Sequence, residues 1–518
     1  MKNFPNFAFR PRRAGALALA ALLAACTVGP DFKRPMPPGS AAYSVAPLPA
    51  STVAADDVAG AAQRFHPEQQ IPAQWWSVFH SPRLDALIKQ AFAASPSIES
   101  AQAALRQAQE NVAAQQGFFF PSVQASYAPS RTKIAGNAGG NSPGTQGNGS
   151  VIATTSNTPA AQGGSAPFVE PVLYTFHTSQ LTISYVPDVF GANRRQVESL
   201  QAQAAQQRFQ LDAAYLTLAS NVVAAALQDA SLRAQIAATR HIIEANQKAL
   251  DIVRRQFEHG YAMRIDVASQ ESALAAAQQQ LPPLVKQHEQ TRDLLAVLLG
   301  QAPGEPMESE VELSDLHLPQ ELPLSLPATL IAQRPDVRAA EEQLHSASAQ
   351  VGVAVANRLP QFSINGTIGG EASVFSEMFK TGGPFWNLLG NITQPVFDGG
   401  TLLHRERAAD QALVQAAAQY RATVLNALQN VADTMHAIHS DAAALQAAVK
   451  AESAAKVVLD ITRRQFELGS ANMLALLAAQ QAHQQATIAV VQARAARFGD
   501  TAALFQALGG GWDQPTGQ

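Results

Sequence analysis

The 518-residue chain carries 36 Lys and Arg against 40 Asp and Glu, a formal net charge of −4 with only 15% charged residues. That balance argues against nucleic-acid binding through a broad basic surface. Beyond the first 25 residues no apolar run reaches eighteen, which excludes a spanning α-helix. Length alone would suggest about three or four domains of roughly 100–200 residues each.

The chain opens with Lys2, Arg10, Arg12 and Arg13 ahead of an apolar run, Ala14 to Ala25, that is too short to cross a bilayer. This pattern marks a bacterial export signal. Its end, Leu23-Ala24-Ala25-Cys26, resembles a lipobox, in which the peptide is cut at the cysteine and a lipid attached there. Thr27 stands where an aspartate would resemble an inner-membrane retention signal, which favours the outer membrane. Cys26 is the only cysteine, so no disulfide is available in the oxidising periplasm.

Downstream, the chain repeats itself at two offsets. At 239, Pro96 meets Pro335, Ala101 meets Ala340, Leu105 meets Leu344 and Pro121 meets Pro360; at 209, Leu216 meets Leu425, Asn221 meets Asn430 and Gly260 meets Gly469. The offset changes between Pro121 and Leu216, where the first copy holds a surplus of Gly, Ser and Asn at 136–166 that reads as an exposed, turn-rich loop. The chain therefore divides into a signal peptide (1–25), a lipidated Pro/Ala-rich extension (26–74), a first repeat (75–300), a connector (301–333), a second repeat (334–510) and a tail (511–518).

Each repeat contains 68 residues without Pro or Gly, Ala192 to His259 and Thr401 to Leu468. A helix of that length spans roughly 100 Å. Apolar residues recur at sevens, Tyr215, Val222, Ile236, Ile243, Leu250 and Phe257 in one copy and Val424, Val431, Ile438, Leu445, Leu459 and Phe466 in the other, interrupted by Asp229 and Glu452. This is the heptad pattern of coiled-coil helices. The runs end in RRQFEHG and RRQFELG. Gly260 and Gly469 take the place of helix C-cap glycines, and Arg254, Arg255, Arg463 and Arg464 suit the negative end of the helix dipole. Each phrase thus reads as the tip of a helical hairpin with a return helix behind it.

At the other ends of the long helices the period changes to two. Val123, Ala125 and Tyr127 alternate with Ser122, Gln124 and Ser126, and Leu181, Ile183 and Tyr185 with Thr182 and Ser184; in the second copy Phe362, Ile364 and Ile368 share a face, as do Trp386, Leu388 and Ile392. Two β-hairpins are predicted, at about 121–190 and 360–397, each with one apolar and one polar face. The pattern also admits soluble hairpins packed on the helices. With a lipid anchor, however, a lipid-facing sheet must close, and four strands per chain cannot do so. Two, three or four copies would.

From Cys26 to about Gly510 the chain resembles the TolC-like outer-membrane efflux family, in its lipoprotein, NodT-like branch. The residues that carry the resemblance are CTVGPDFKRP (26–35), WWSVFHSPRLDALIKQAFAASPSI (75–98), LPLSLPATLIAQRPDVRAAEEQLHSASAQVGVAVANRLPQFSINGTIG (322–369), QPVFDGG (394–400) and the two tips. The resemblance implies a mixed α+β membrane protein, a homotrimer whose twelve-stranded barrel in the outer membrane continues as a helical tunnel into the periplasm. It implies passive conduction of small molecules such as drugs or toxic organics, with a periplasmic adaptor at the tips and a proton-driven inner-membrane pump supplying energy. No enzymatic site, cofactor or metal cluster is expected, and His436 and His439 read as unremarkable helix residues. A protein-secretion duct and a poreless periplasmic scaffold are the alternatives.

One departure bears on the periplasmic gate. Family members commonly place acids in a G-x5-D-x2-D pattern at the second tip, where this chain has Ala475 and Ala478 after Gly469; the first tip keeps Asp266. Leu474, Leu476 and Leu477 suggest closure by packing or dewetting, with Asp266 as the remaining acidic candidate.

Overall fold

The computed structural model describes residues 27–36, 43, 49–67, 71–134, 142–145, 151–154, 172–306, 310–325 and 327–510. Cys26 and the expected export signal lie outside the described residues. In chain order the strands are β1 (Arg64–Pro67), β2 (Ser122–Ile134), β3 (Ser142–Thr145), β4 (Val151–Thr154), β5 (Val172–Tyr185), β6 (Glu321–Leu324), β7 (Gln361–Ala372) and β8 (Pro384–Thr393). The helices are α1 (Pro82–Ala94), α2 (Pro96–Gln116), α3 (Ala192–Glu258), α4 (Arg264–Leu298), α5 (Pro327–Gln333), α6 (Pro335–Ala356), α7 (Thr401–Glu467) and α8 (Met473–Ala507). Two compact units result, one from residues up to 33 with 108–203 and 345–415, the other from 34–107, 204–344 and 416–518.

The first unit is built on a four-stranded antiparallel sheet in the order β2-β5-β7-β8. Within the segment expected as a turn-rich loop, β3 and β4 pair antiparallel with each other, so that surplus is not wholly without regular structure. Both long helices begin at an acid. The Asp188 carboxylate accepts from the backbone N–H groups of Asn193 and Arg194, each at 2.9 Å, and Asp398 accepts from Gly400 at 2.9 Å and Leu402 at 2.8 Å. These bonds satisfy donors that the first helical turn leaves open.

Residues 28–32 dock in this unit. The Val28 N–H donates to the Phe190 carbonyl at 3.3 Å. The Arg195 guanidinium, almost wholly buried, donates to the Val28 carbonyl at 3.1 Å and reaches Asp31 at 2.7 Å and Glu198 at 2.8 Å. Phe32 stacks on His345 with centroids 4.3 Å apart.

The second unit holds the main apolar core. Trp75, Phe79, Leu84, Ile88, Phe498 and Phe505 are fully buried there, with Trp75 stacked on Phe505 at 5.8 Å and Phe79 edge-on to Phe498. The connector enters through β6, which pairs parallel with β1. On α7 the buried positions are Ala416, Tyr420, Val424, Ala427, Val431, Met435, Ile438, Ala442 and Leu445, separated by steps of three or four. This is the seam expected from the heptads. On α3 the seam departs from expectation at its last member: Phe257 is 44% exposed and Val253, one turn earlier, is buried instead. The helix turns its Val253 side toward the neighbouring hairpin at this end, so the phenylalanine falls on the outer face.

Asp229, an apparent flaw in the seam, is 5% exposed and paired. Its carboxylate receives Arg233 Nε at 3.0 Å and lies 3.3 Å from His288 Nε2 of α4, while Arg233 also donates to the Val311 carbonyl. Through Arg233 the acid therefore ties α3 to the connector, which an apolar residue there could not do.

Candidate functional site: the sheet and the helix tips

The register aligns the alternation of all four strands. Val123 faces Ile183, which faces Gly366, which faces Leu388; one step along, Ala125, Leu181, Ile368 and Trp386 form the next row. Tyr185 with Ile364, and Phe362 with Ile392, extend the same face. The opposite face carries the rows Gln124, Thr182, Thr367, Asn387 and Ser122, Ser184, Asn365, Leu389. A slip of one residue in any strand would mix the two faces. The apolar face is bare in the single chain: Trp386 is 77% exposed and Leu388 71%, with Val123, Ile183, Ile368 and Ile392 also exposed. Strands of ten to fourteen residues suit the roughly 9–11 needed to cross a bilayer at a tilt. The sheet ends at β2 and β8.

Aromatic groups mark both ends of this face. Phe118 and Phe120 precede β2 and Phe397 follows β8, all exposed. Toward the hairpin turns, the Tyr127 hydroxyl lies 2.8 Å from His177 Nδ1, and both rings meet Phe375 edge-on. Girdles of this kind suit the two interfaces of a bilayer. No helix among the described residues is long and apolar enough to cross a membrane.

The tips occupy the second unit. Gly260 and Gly469 each have φ +77°, the left-handed conformation that glycine adopts without strain. Gly260 N–H donates to the Phe257 carbonyl at 3.0 Å and Tyr261 N–H to that of Gln256 at 2.7 Å; Gly469 with Phe466, and Ser470 with Gln465, repeat the arrangement at 3.0 and 2.8 Å. Both are Schellman closures. Arg254 pairs with Glu271 of the return helix at 2.6 Å, Arg255 Nε donates to the Asp251 carbonyl at 3.2 Å, and Arg463 and Arg464 are exposed.

The gate candidates separate into two groups. Leu476 is 5% exposed, packed with Val253 and Met473 and flanked by half-buried Leu477, Phe466 and Val267. It joins the two tips. Leu474, at 74% exposure, with Ala475 and Ala478, faces outward. Asp266 is held by its own helix, its carboxylate accepting from the Met263 N–H at 2.8 Å. At the equivalent start of α8 the Asn472 side chain caps the Ala475 N–H at 2.9 Å. A carboxylate in the first turn is also favoured by the helix dipole, so part of what Asp266 does is local.

Two features lay beyond sequence reading. The Arg195 clamp on residues 28–31 has no local signal. A carboxyl pair, Asp441 of α7 with Asp500 of α8, sits beside Arg497, which is 1% exposed and donates to Gln63 Oε1 at 2.8 Å and the Ala61 carbonyl at 3.1 Å. Burial and the neighbouring Asp441 push the Asp500 carboxyl up to about 7. Burial pushes His439, 5.5 Å from the Phe65 ring, down, and His436 adds to this. Among the described residues no group of three or more His, Cys, Asp or Glu could hold a metal.

The outer membrane efflux protein model matches residues 87–301 and 326–510. The pyoverdine export outer membrane protein OpmQ of Pseudomonas putida is 28% identical over 451 residues, covering 86% of this chain and 91% of its own length. The toluene efflux pump outer membrane protein TtgC of Pseudomonas putida is 26% identical over 511 residues, covering 97% and 96%. Nodulation protein T of Rhizobium leguminosarum bv. trifolii is 24% identical over 484 residues, covering 92% and 91%. Among solved structures the outer-membrane channel OprN superposes with a TM-score of 0.79 at 25% identity, covering 94% of this chain and all of that one. With the family model spanning both repeats, the long hairpins and the four strands between them, the chain belongs to the outer membrane efflux protein family.

Proposed function

We propose that three copies of the chain close into a twelve-stranded barrel in the outer membrane, continued into the periplasm by the long helices, and that small organic molecules pass through it without chemistry. The observation that carries this reading is the row-by-row alignment of apolar residues on one face of a sheet whose edges, β2 and β8, end the chain's own pairing. In hydrocarbon such edges must be paired, and twelve strands leave a lumen where eight would be filled by side chains. Relatives named for pyoverdine export and toluene efflux support an organic cargo.

The exposed tips around Gly260, Gly469, Arg254, Arg255, Arg463 and Arg464 would receive a periplasmic adaptor, with an inner-membrane pump behind it supplying the energy. The constriction would be formed by Leu474, Ala475 and Ala478. Cys26 would carry the lipid: Thr27 is packed against Gly191, just beyond the end of β5, which would put the anchor beside the membrane-embedded strands. The experiment is single-channel conductance in a planar bilayer with protein extracted from outer-membrane fractions, alongside its mobility before and after boiling. Heat-modifiable trimers that conduct support the proposal; a non-conducting monomer rejects it.

A further inference from the structure

The first unit contains an open cavity of about 270 Å³ where the strands meet the helices. Its walls are mainly apolar, with Phe118, Val186, Phe190, Val353 and Phe362 among them. The one charged residue in the lining is Asp188, whose carboxylate is already engaged by Arg194 and two backbone N–H groups, so the lining offers no cation to a phosphate. The size is just below that of ordinary small-ligand sites, roughly 300–1,000 Å³, so it suits part of a hydrocarbon chain and not a lipid headgroup.

The mature amino terminus ends beside this cavity. Phe190 and Ala192 both line it, and Gly191 between them touches Thr27: a Cβ on Gly191 would lie 2.8 Å from Thr27 Cγ2 and 3.2 Å from its Cα. The Val28 N–H is bonded to the Phe190 carbonyl, and Arg195 fixes the carbonyls of Val28 and Gly29. The residue before Thr27 is one Cα–Cα step of about 3.8 Å away. The lining also includes Asn193, whose Nδ2 is buried and donates no hydrogen bond, although its Oδ1 accepts from Gln115 at 2.6 Å.

We propose that this cavity seats part of an acyl chain carried on Cys26, so that this part of the chain's own lipid packs into the junction of strands and helices instead of lying free in the bilayer. This rests on the reading of Cys26 as the lipidated residue. The hydrocarbon would cover Phe190 and Phe362, and the Arg195 clamp would hold the attachment point within reach.

The test uses full-length protein from cells fed an alkyne-bearing fatty acid, with p-benzoylphenylalanine in place of Phe190 and, in a second variant, of Phe362. Exposed Val414 serves as the control position. Only protein that migrates as a heat-modifiable trimer is irradiated and digested. The expected result is a cross-link from either cavity position to the acylated Cys26 peptide, several-fold above the control. Cross-links only to a free phospholipid, only to a peptide of a neighbouring copy, or none at all with Cys26 acylated would overturn the cavity assignment alone. A mature amino-terminal peptide that mass spectrometry finds without acyl groups would overturn the lipidation reading and this one together.

Discussion

Glu452 of α7 lies 3.5 Å from His483 of α8, at the positions where the first repeat carries Ile243 and Leu274. The first hairpin thus has two apolar residues where the other has a half-buried acid–base pair. A pair so placed contributes below about 1 kcal/mol, because solvent screens it. We expect the double variant Glu452→Ile, His483→Leu to dissociate thermally at or above the wild-type temperature. Glu452→Ile alone should not gain, since it leaves the imidazole facing an alkyl group. Semi-native gel electrophoresis over a temperature series measures both.

Gly191→Ala should loosen the amino-terminal segment. At φ +80° a side chain costs about 1–2 kcal/mol, and the added methyl would press on Thr27. The expected outcome is faster proteolysis within residues 27–36 while trimers still form, read by limited digestion and mass spectrometry.

The Asp441–Asp500 pair makes stability depend on pH with a definite sign. Asp500 is raised to about 7 from an ordinary value of 3.8, so the folded state holds a proton that the unfolded chain releases. Stability from this group is therefore complete below about pH 4 and is lost as pH rises toward 7. Asp500→Asn should flatten the pH dependence between those limits and make the trimer more heat-resistant than wild type at pH 8. A variant that follows the wild-type profile throughout would contradict the assignment.

Ala475→Asp restores at the second tip the residue that the first tip has in Asp266. Ala475 and Asp266 are repeat equivalents, each at the third position of its return helix, and Asp266 caps the Met263 N–H. The new carboxylate should stabilise the helix start by about 0.3–1 kcal/mol. Combined with Ala478→Asp it should also make conductance sensitive to millimolar divalent cations on the periplasmic side, because three copies would set carboxylates in rings. Wild-type block as strong as that of the double variant would place the constriction elsewhere.

The elements that local chemistry specifies were legible in the sequence. Gly260 and Gly469 announced the hairpin tips because the turn needs a positive φ, and the heptads announced α3 and α7 because the seam repeats along one helix. Alternation announced β2, β5, β7 and β8. What opposes what was not legible: the rows from Val123 to Leu388 depend on strands far apart in the chain. Asp229 read as a flaw because the connector carbonyl that its partner Arg233 also reaches lies far along the chain. Which of Leu474, Leu476 and Leu477 is buried was not legible either, because adjacent leucines look alike until a neighbouring helix decides which one faces inward.

The bare edges of β2 and β8 bear on how the protein is made. A lone chain released into the periplasm presents two open templates for strand addition beside an exposed apolar sheet, the features that promote aggregation and wrong pairing. No intramolecular step can remove them. Closure therefore depends on encounters with other copies, at least second-order in chain concentration, unless something holds the strands apart until partners arrive, and overproduction should fill the periplasm with mispaired chains before it fills the membrane with channels.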